Sequence, residues 1–174
     1  MGDFHCPIGA AFYDDEGCID CSMCLAKNKE EMVEAALRLV RQKVFENINA
    51  VCAATPDALD RLERLLTLNV RMIREIQAIP RVVFAEGVFG EGQGRRNKIY
   101  QMLRGYMAKV EEIIAQGQRA GEIRAELDAR TLAVIFWGLL PPAIILWHVS
   151  EGRFDVTRHV EKSWEMLRAG LAAG

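Results

Sequence analysis

The stretch Ile99-Tyr100-Gln101-Met102-Leu103-Arg104-Gly105-Tyr106-Met107-Ala108-Lys109-Val110-Glu111-Glu112-Ile113-Ile114 decides how this chain folds. Ile99, Met102, Leu103, Tyr106, Met107, Val110, Ile113 and Ile114 recur at steps of three and four. That spacing puts them on one face of an α-helix, whereas a strand would alternate. It predicts a helix over about Arg95–Gly117.

The same grammar extends in both directions. Upstream, Gly87, Gly90, Gly92 and Gly94 predict a flexible link, preceded by a short helix from Pro80 to about Val88. Before it, Thr55-Pro56 opens a helix that ends at Pro80, with Thr55 as the cap and proline in the first helical position. Its stripe is Leu59, Leu62, Leu65, Leu66, Val70, Ile73 and Ile76. The first helix runs from about Lys29 to Ala53, with Met32, Ala35, Ala36, Leu39, Val40 and Val44 on one face. Cys52, near Ile48, is expected to be a small buried apolar residue. Downstream, Gly121 and Asp128 bracket a loop, and Asp128 is placed to cap a fifth helix over Ala129–Val149. Pro141 has no N–H for the carbonyl of Trp137, which predicts a kink there. Gly152 breaks the chain again, and Asp155 caps a last helix carrying Val156, Val160, Trp164, Leu167 and Leu171. No segment reads convincingly as a strand. The expectation is an all-α fold of six helices over residues 29–174, attached to a loop-rich module over residues 1–28, with no internal repeat.

Composition agrees with one globular domain: 174 residues, 51% hydrophobic and 26% charged. The net charge of -2 argues against general affinity for nucleic acid or anionic membrane. Six acids against Lys27 and Lys29 leave the first thirty residues at -4, so the remainder carries +2. The groups Arg95-Arg96-Lys98 and Arg38-Arg41-Lys43 read as solvated faces. Thr131–Ser150 holds no Asp, Glu, Lys or Arg and is long enough to cross a bilayer. Pro141-Pro142 interrupts it, His148 lies inside it, and no basic cluster flanks it, so a buried helix is expected instead. The start of the chain lacks the basic and apolar runs of a signal peptide, and a reducing cytoplasm is the expected compartment.

Four of the five cysteines fall within the first 24 residues. Cys18-Ile19-Asp20-Cys21-Ser22-Met23-Cys24 places three thiols at two-residue gaps, a spacing that can wrap one corner of an iron–sulfur cube. A fourth ligand must come from elsewhere, and Cys6-Pro7 is the candidate. A zinc site also uses four thiolates, although zinc modules usually pair two Cys-x-x-Cys knuckles. Redox-active free thiols are a further alternative.

Cys6-Pro7-Ile8-Gly9-Ala10, Asp14-Asp15-Glu16-Gly17 and Cys18-Ile19-Asp20-Cys21 together resemble the middle of a bacterial two-cluster ferredoxin. The resemblance implies one [4Fe–4S] cluster held by Cys6, Cys18, Cys21 and Cys24. The parts of the ferredoxin pattern that are missing here belong to the other cluster.

A second resemblance covers residues 30–172. Pro80-Arg81-Val82-Val83-Phe84-Ala85-Glu86-Gly87-Val88-Phe89-Gly90 and Gly117-Gln118-Arg119-Ala120-Gly121-Glu122-Ile123-Arg124-Ala125-Glu126-Leu127-Asp128 are similar to the C-terminal domain of TetR/AcrR-type regulators. It implies that the last two helices pair with their copies in a homodimer, and that the middle helices enclose a small apolar ligand. Phe84, Phe89, Tyr100, Tyr106 and Trp137 are candidate pocket residues. The family's helix-turn-helix domain has no counterpart in residues 1–28, so direct DNA binding is not expected.

These readings favour a regulatory or sensory homodimer that responds to cluster redox state or to a small apolar ligand. The alternatives are an electron-transfer protein that docks a redox partner, and a TetR-type transcriptional regulator acting through a partner. Catalysis has little support. His5, His148 and His159 are scattered, and Gly90-Glu91-Gly92-Gln93-Gly94 lacks the lysine of a phosphate loop.

Overall fold

The computed structural model describes residues 29–76 and 93–173. Six α-helices lie among them: α1 (Lys29–Ala54), α2 (Ala58–Glu75), α3 (Gln93–Ala120), α4 (Ala129–Gly138), α5 (Pro141–Val149) and α6 (Val156–Leu171). The described residues hold no strand, only an isolated antiparallel bridge between Ile123 and Ala172. The expected module over residues 1–28 and the expected short helix over 80–88 lie outside the described residues.

The chain divides into two compact units, Met1–Val44 with Arg71–Met102, and Phe45–Val70 with Leu103–Gly174. In the first, α1 buries Val33, Ala36, Leu39 and Val40, α2 buries Met72 and Ile73, Ile76 just beyond it is buried too, and α3 buries Ile99. An exposed ion pair joins Lys98 to Glu34 at 2.8 Å, of the kind that adds little to stability. In the second unit the stripe predicted for α3 is the core: Tyr106, Val110, Ile113 and Ile114 are buried, as are Leu62, Leu65 and Leu66 of α2.

Helix ends follow the cap chemistry, with one correction. Asp128 accepts the N–H of Thr131 at 2.7 Å, and Asp155 accepts that of Arg158 at 3.0 Å, as their positions predicted. For α2, however, the cap is Asp57, which takes the Asp60 N–H at 2.7 Å. Thr55 instead accepts the N–H of Asp57 at 3.3 Å in a turn before the helix. A carboxylate placed two residues later competes better for the helix N-terminus, which favours negative charge. Arg61 of α2 serves the other side of the same corner, donating to the backbone carbonyl of Thr55 at 2.6 Å and to Gln116 of α3 at 2.7 Å.

The predicted fifth helix is two helices. Leu140 N–H takes the Trp137 carbonyl at 3.2 Å, the acceptor that Pro141 cannot use, and Leu139 N–H takes that of Phe136 at 3.2 Å. These tight turns close α4, and α5 begins at Pro141, where a missing N–H does no harm. Beyond α5, Glu151 adopts φ 54° and Gly152 φ 83°, and Gly152 N–H returns to the Trp147 carbonyl at 2.9 Å. Two smaller corrections concern α3 and α1. Gly94 lies inside α3 rather than in a link, and Cys52 is exposed rather than buried because the core stripe of α1 passes through Ile48 and Val51.

The Gly-Glu-Ile-Arg turn after α3 stitches the second unit together. Gly121, at φ 76°, lets Glu122 N–H reach back to the Gly117 carbonyl at 2.9 Å. Glu122 Oε2 then accepts the Ala58 N–H at the start of α2, at 2.6 Å. Arg124 N–H donates to the Leu171 carbonyl at 3.0 Å, and Ala173 N–H donates to that of Glu122 at 3.1 Å. Gly117 permits the approach: a Cβ there would stand 2.6 Å from Ala58 Cβ and 2.9 Å from Ile123 Cδ1.

Gly117→Ala should therefore destabilise the protein by about 1–3 kcal/mol through overpacking, although alanine is the better helix former. Urea unfolding of the variant is the measurement. A stability equal to or above wild type would show that the helices separate freely at this point.

Candidate functional site: an exposed apolar face and a buried polar chain

The clearest surface feature lies on α4 and α5. By length and composition Ala129–Val149 passes as a membrane-spanning helix, but only 33% of its apolar window is buried. The chain by itself covers one side of these helices. Leu132, Ala133 and Phe136 of α4 and Ala143 and Ile144 of α5 face the core. Val134, Ile135, Ile145, Leu146 and Val149 face solvent, Val149 at 67% exposure. α5 packs on both α4 and α6. Under the face, Phe136 and Trp164 of α6 meet edge to face, with ring centroids 6.1 Å apart. Met166 of α6 is exposed at 78%. Five apolar side chains on a surface without a charge between Thr131 and Ser150 are too many to leave wet without a reason.

A second feature is interior. Asn69 is the buried polar residue of the described core, at 3% exposure. Its Oδ1 accepts from Asn47 Nδ2 at 3.0 Å, and its Nδ2 donates to the Tyr106 hydroxyl at 3.1 Å. The chain links α1, α2 and α3 within the second unit. Burial raises the Tyr106 phenol well above its ordinary titration range, against a smaller opposing effect of the Asn69 hydrogen bond, so the hydroxyl stays neutral. Sequence reading overlooked Asn69, yet the signal was present: it stands three residues after Leu66 and seven after Leu62, on the apolar stripe of α2.

The predicted pocket residues are only partly accounted for. Tyr106 is buried and Trp137 half-buried, both in the second unit. Tyr100, in the first unit, is 60% exposed and lines no interior. It follows Ile99 by one residue, about 100° around the helix, and so turns away from the stripe that Ile99 occupies. Phe84 and Phe89 lie outside the described residues, as do Cys6, Cys18, Cys21 and Cys24. Among the described residues, no group of three or more His, Cys, Asp or Glu side chains is placed to hold a metal ion. A groove of about 420 Å³ between α1 and α2, lined by Ala50, Val51, Ala54, Asp60, Glu63 and Arg64 among others, is open to solvent and rimmed by the Asp60–Arg64 ion pair.

The order and packing of these helices have a match among known proteins. The chain belongs to the TetR C-terminal family described as the C-terminal region of YsiA-like proteins, which matches residues 38–170. It is similar to the nucleoid occlusion factor SlmA of Shewanella pealeana, 24% identical over 148 residues that cover 83% of this chain and 73% of that protein. A shorter similarity, 26% over 76 residues, covers 44% of this chain and 39% of the fatty acid metabolism regulator protein of Bacillus subtilis. A solved structure of a protein with unknown function from Rhodococcus sp. RHA1 superposes with a TM-score of 0.67 at 13% identity, covering 84% of this chain and 74% of that one. That likeness concerns the fold alone.

Tyr106→Phe should lower stability by about 1–3 kcal/mol, because the buried Asn69 amide loses a partner. In Asn69→Leu/Tyr106→Phe both groups become apolar, and part of that loss should return, the remainder reflecting the Asn47 amide that loses its acceptor. A double-mutant cycle in urea measures the coupling; simple additivity of the two changes would mean that the hydrogen bond contributes nothing.

Proposed function

We propose that this protein is a TetR-type regulator that works as a homodimer, pairing through the α4–α5 face together with α6, and responds to a small apolar ligand. The carrying observation is the exposed apolar surface of Val134, Ile135, Ile145, Leu146 and Val149. TetR-family proteins are typically dimers that bind small ligands, and a twofold interface buries the same patch on both copies. The similarity to a fatty acid metabolism regulator supports a ligand with an acyl-like apolar body. The relatives are regulators and factors rather than enzymes or electron carriers, which favours regulation over electron transfer. In this reading the chain acts on transcription through a partner.

Ile145→Asp/Val149→Asp places two charges on the face without touching the buried side of α5. The variant should keep its helix content while its mass by light scattering falls to half. A wild-type chain that is already monomeric at tens of micromolar would end the homodimer reading.

We further propose a [4Fe–4S] cluster on Cys6, Cys18, Cys21 and Cys24. Its support is the spacing of the four thiols and the ferredoxin-like sequence around them. Anaerobic purification should give brown protein with about four irons and four sulfides per chain, lost on changing the four cysteines to serine. Colourless protein carrying zinc would replace the cluster with a structural zinc site.

A further inference from the structure

The two histidines among the described residues, His148 and His159, are both exposed and lie on α5 and α6, the helices of the proposed interface. Their surroundings differ. The His159 ring lies 5.3 Å from that of Phe154 in a tilted contact, and its Nε2 is 3.4 Å from Ser163 Oγ. His148 follows Ile145 by three residues, which puts the two on one side of α5, and Ile145, His148 and Val149 are all exposed. No ion pair joins His148 to a carboxylate among the described residues.

The charged groups near this face are few. α5 has none besides His148, and α4 has only Arg130. The turn beyond α5 carries Glu151 and Arg153, whose Nε donates to the Ser150 carbonyl at 3.0 Å. On α6, Lys162 pairs with Glu165 at 2.8 Å and Arg168 with Glu63 at 2.9 Å, leaving Arg158 and Glu161 as the other charged side chains of that helix. Of all these groups, only an imidazole changes charge in the ordinary course between pH 5 and 8.

We infer that His148 makes self-association of this chain pH-dependent, the dimer forming with a neutral imidazole and loosening as the ring takes up a proton. The inference rests on the homodimer reading. Pairing the α5 faces strips water from His148 and surrounds it with apolar side chains. The charged ring then loses hydration, and neither α4 nor α5 carries a carboxylate to replace it. Association therefore favours the neutral ring. Dimer stability is therefore greatest at pH 8 and declines as pH falls. Twofold symmetry makes both copies contribute at once.

The test measures the dimer dissociation constant of the full chain at pH 8 and pH 5.5, by analytical ultracentrifugation, for wild type, His148→Gln and His159→Gln. The wild-type constant should rise by about tenfold or more at the lower pH. His148→Gln should dimerise with nearly the same constant at both pH values, and His159→Gln should behave as wild type. Equal pH dependence in wild type and His148→Gln overturns the inference, as does a wild-type dimer indifferent to pH. Helix loss at pH 5.5 shared by wild type and His148→Gln counts against it in the same way. A wild-type chain monomeric at pH 8 overturns the homodimer reading itself, which separates the two failures.

Discussion

Hydrophobic burial is satisfied on only one side of the α4–α5 pair, and the rest of the surface has to be understood around that fact. Twenty consecutive residues without a formal charge, Thr131–Ser150, supply enough apolar side chain for two faces. The second unit uses one of them, through Leu132, Phe136, Ala143 and Ile144 packed inward. Water is a poor neighbour for the other. The break between Leu139 and Pro141 divides the stretch into helices of 10 and 9 residues, each shorter than the roughly 20 residues needed to span a bilayer. Burial against protein answers the same need without requiring a single long helix.

The interior of the same unit shows a different economy. Asn47, Asn69 and Tyr106 place three polar groups among leucines and isoleucines, and each finds a partner in the next. An apolar replacement of similar volume would fill the space without any directional demand. Directionality is what the hydrogen bonds add: they hold three helices in one register, where a uniform leucine layer would tolerate sliding. The Glu122 carboxylate acts likewise at the end of the bundle, holding the first free N–H of α2 where no residue of α2 itself does so.

Much of this was legible in the sequence, and the exceptions have physical reasons. The three- and four-residue periodicity of α3 is a strong signal, because a long helix averages over local accidents. Asp128 and Asp155 were readable as caps because each is the only good acceptor at its helix start. Thr55 was misread because Asp57, two residues on, is an equally valid cap, and pattern alone cannot rank them. Pro141 announced a disturbance but not its size; whether a proline bends or ends a helix depends on whether neighbouring N–H groups can find other acceptors, and those of Leu139 and Leu140 can. The candidate site was harder to read. Aromatic type alone does not mark a pocket residue: Tyr100 sits one position off the buried stripe. Asn69 escaped notice because a polar residue on an apolar stripe resembles an interruption until its partners, 22 and 37 residues away, are seen. The family itself was legible in the Gly-Glu-Ile-Arg turn, where Gly117, Gly121 and Glu122 each meet a separate steric or hydrogen-bonding requirement.

The bridge between Ile123 and Ala172 bears on any use of this protein in the laboratory. The last described residues are not a loose end: they lie hydrogen-bonded along the turn that anchors the start of α2. Removing them would take away the partner of the Glu122 carbonyl and loosen the turn whose carboxylate holds the first N–H of α2.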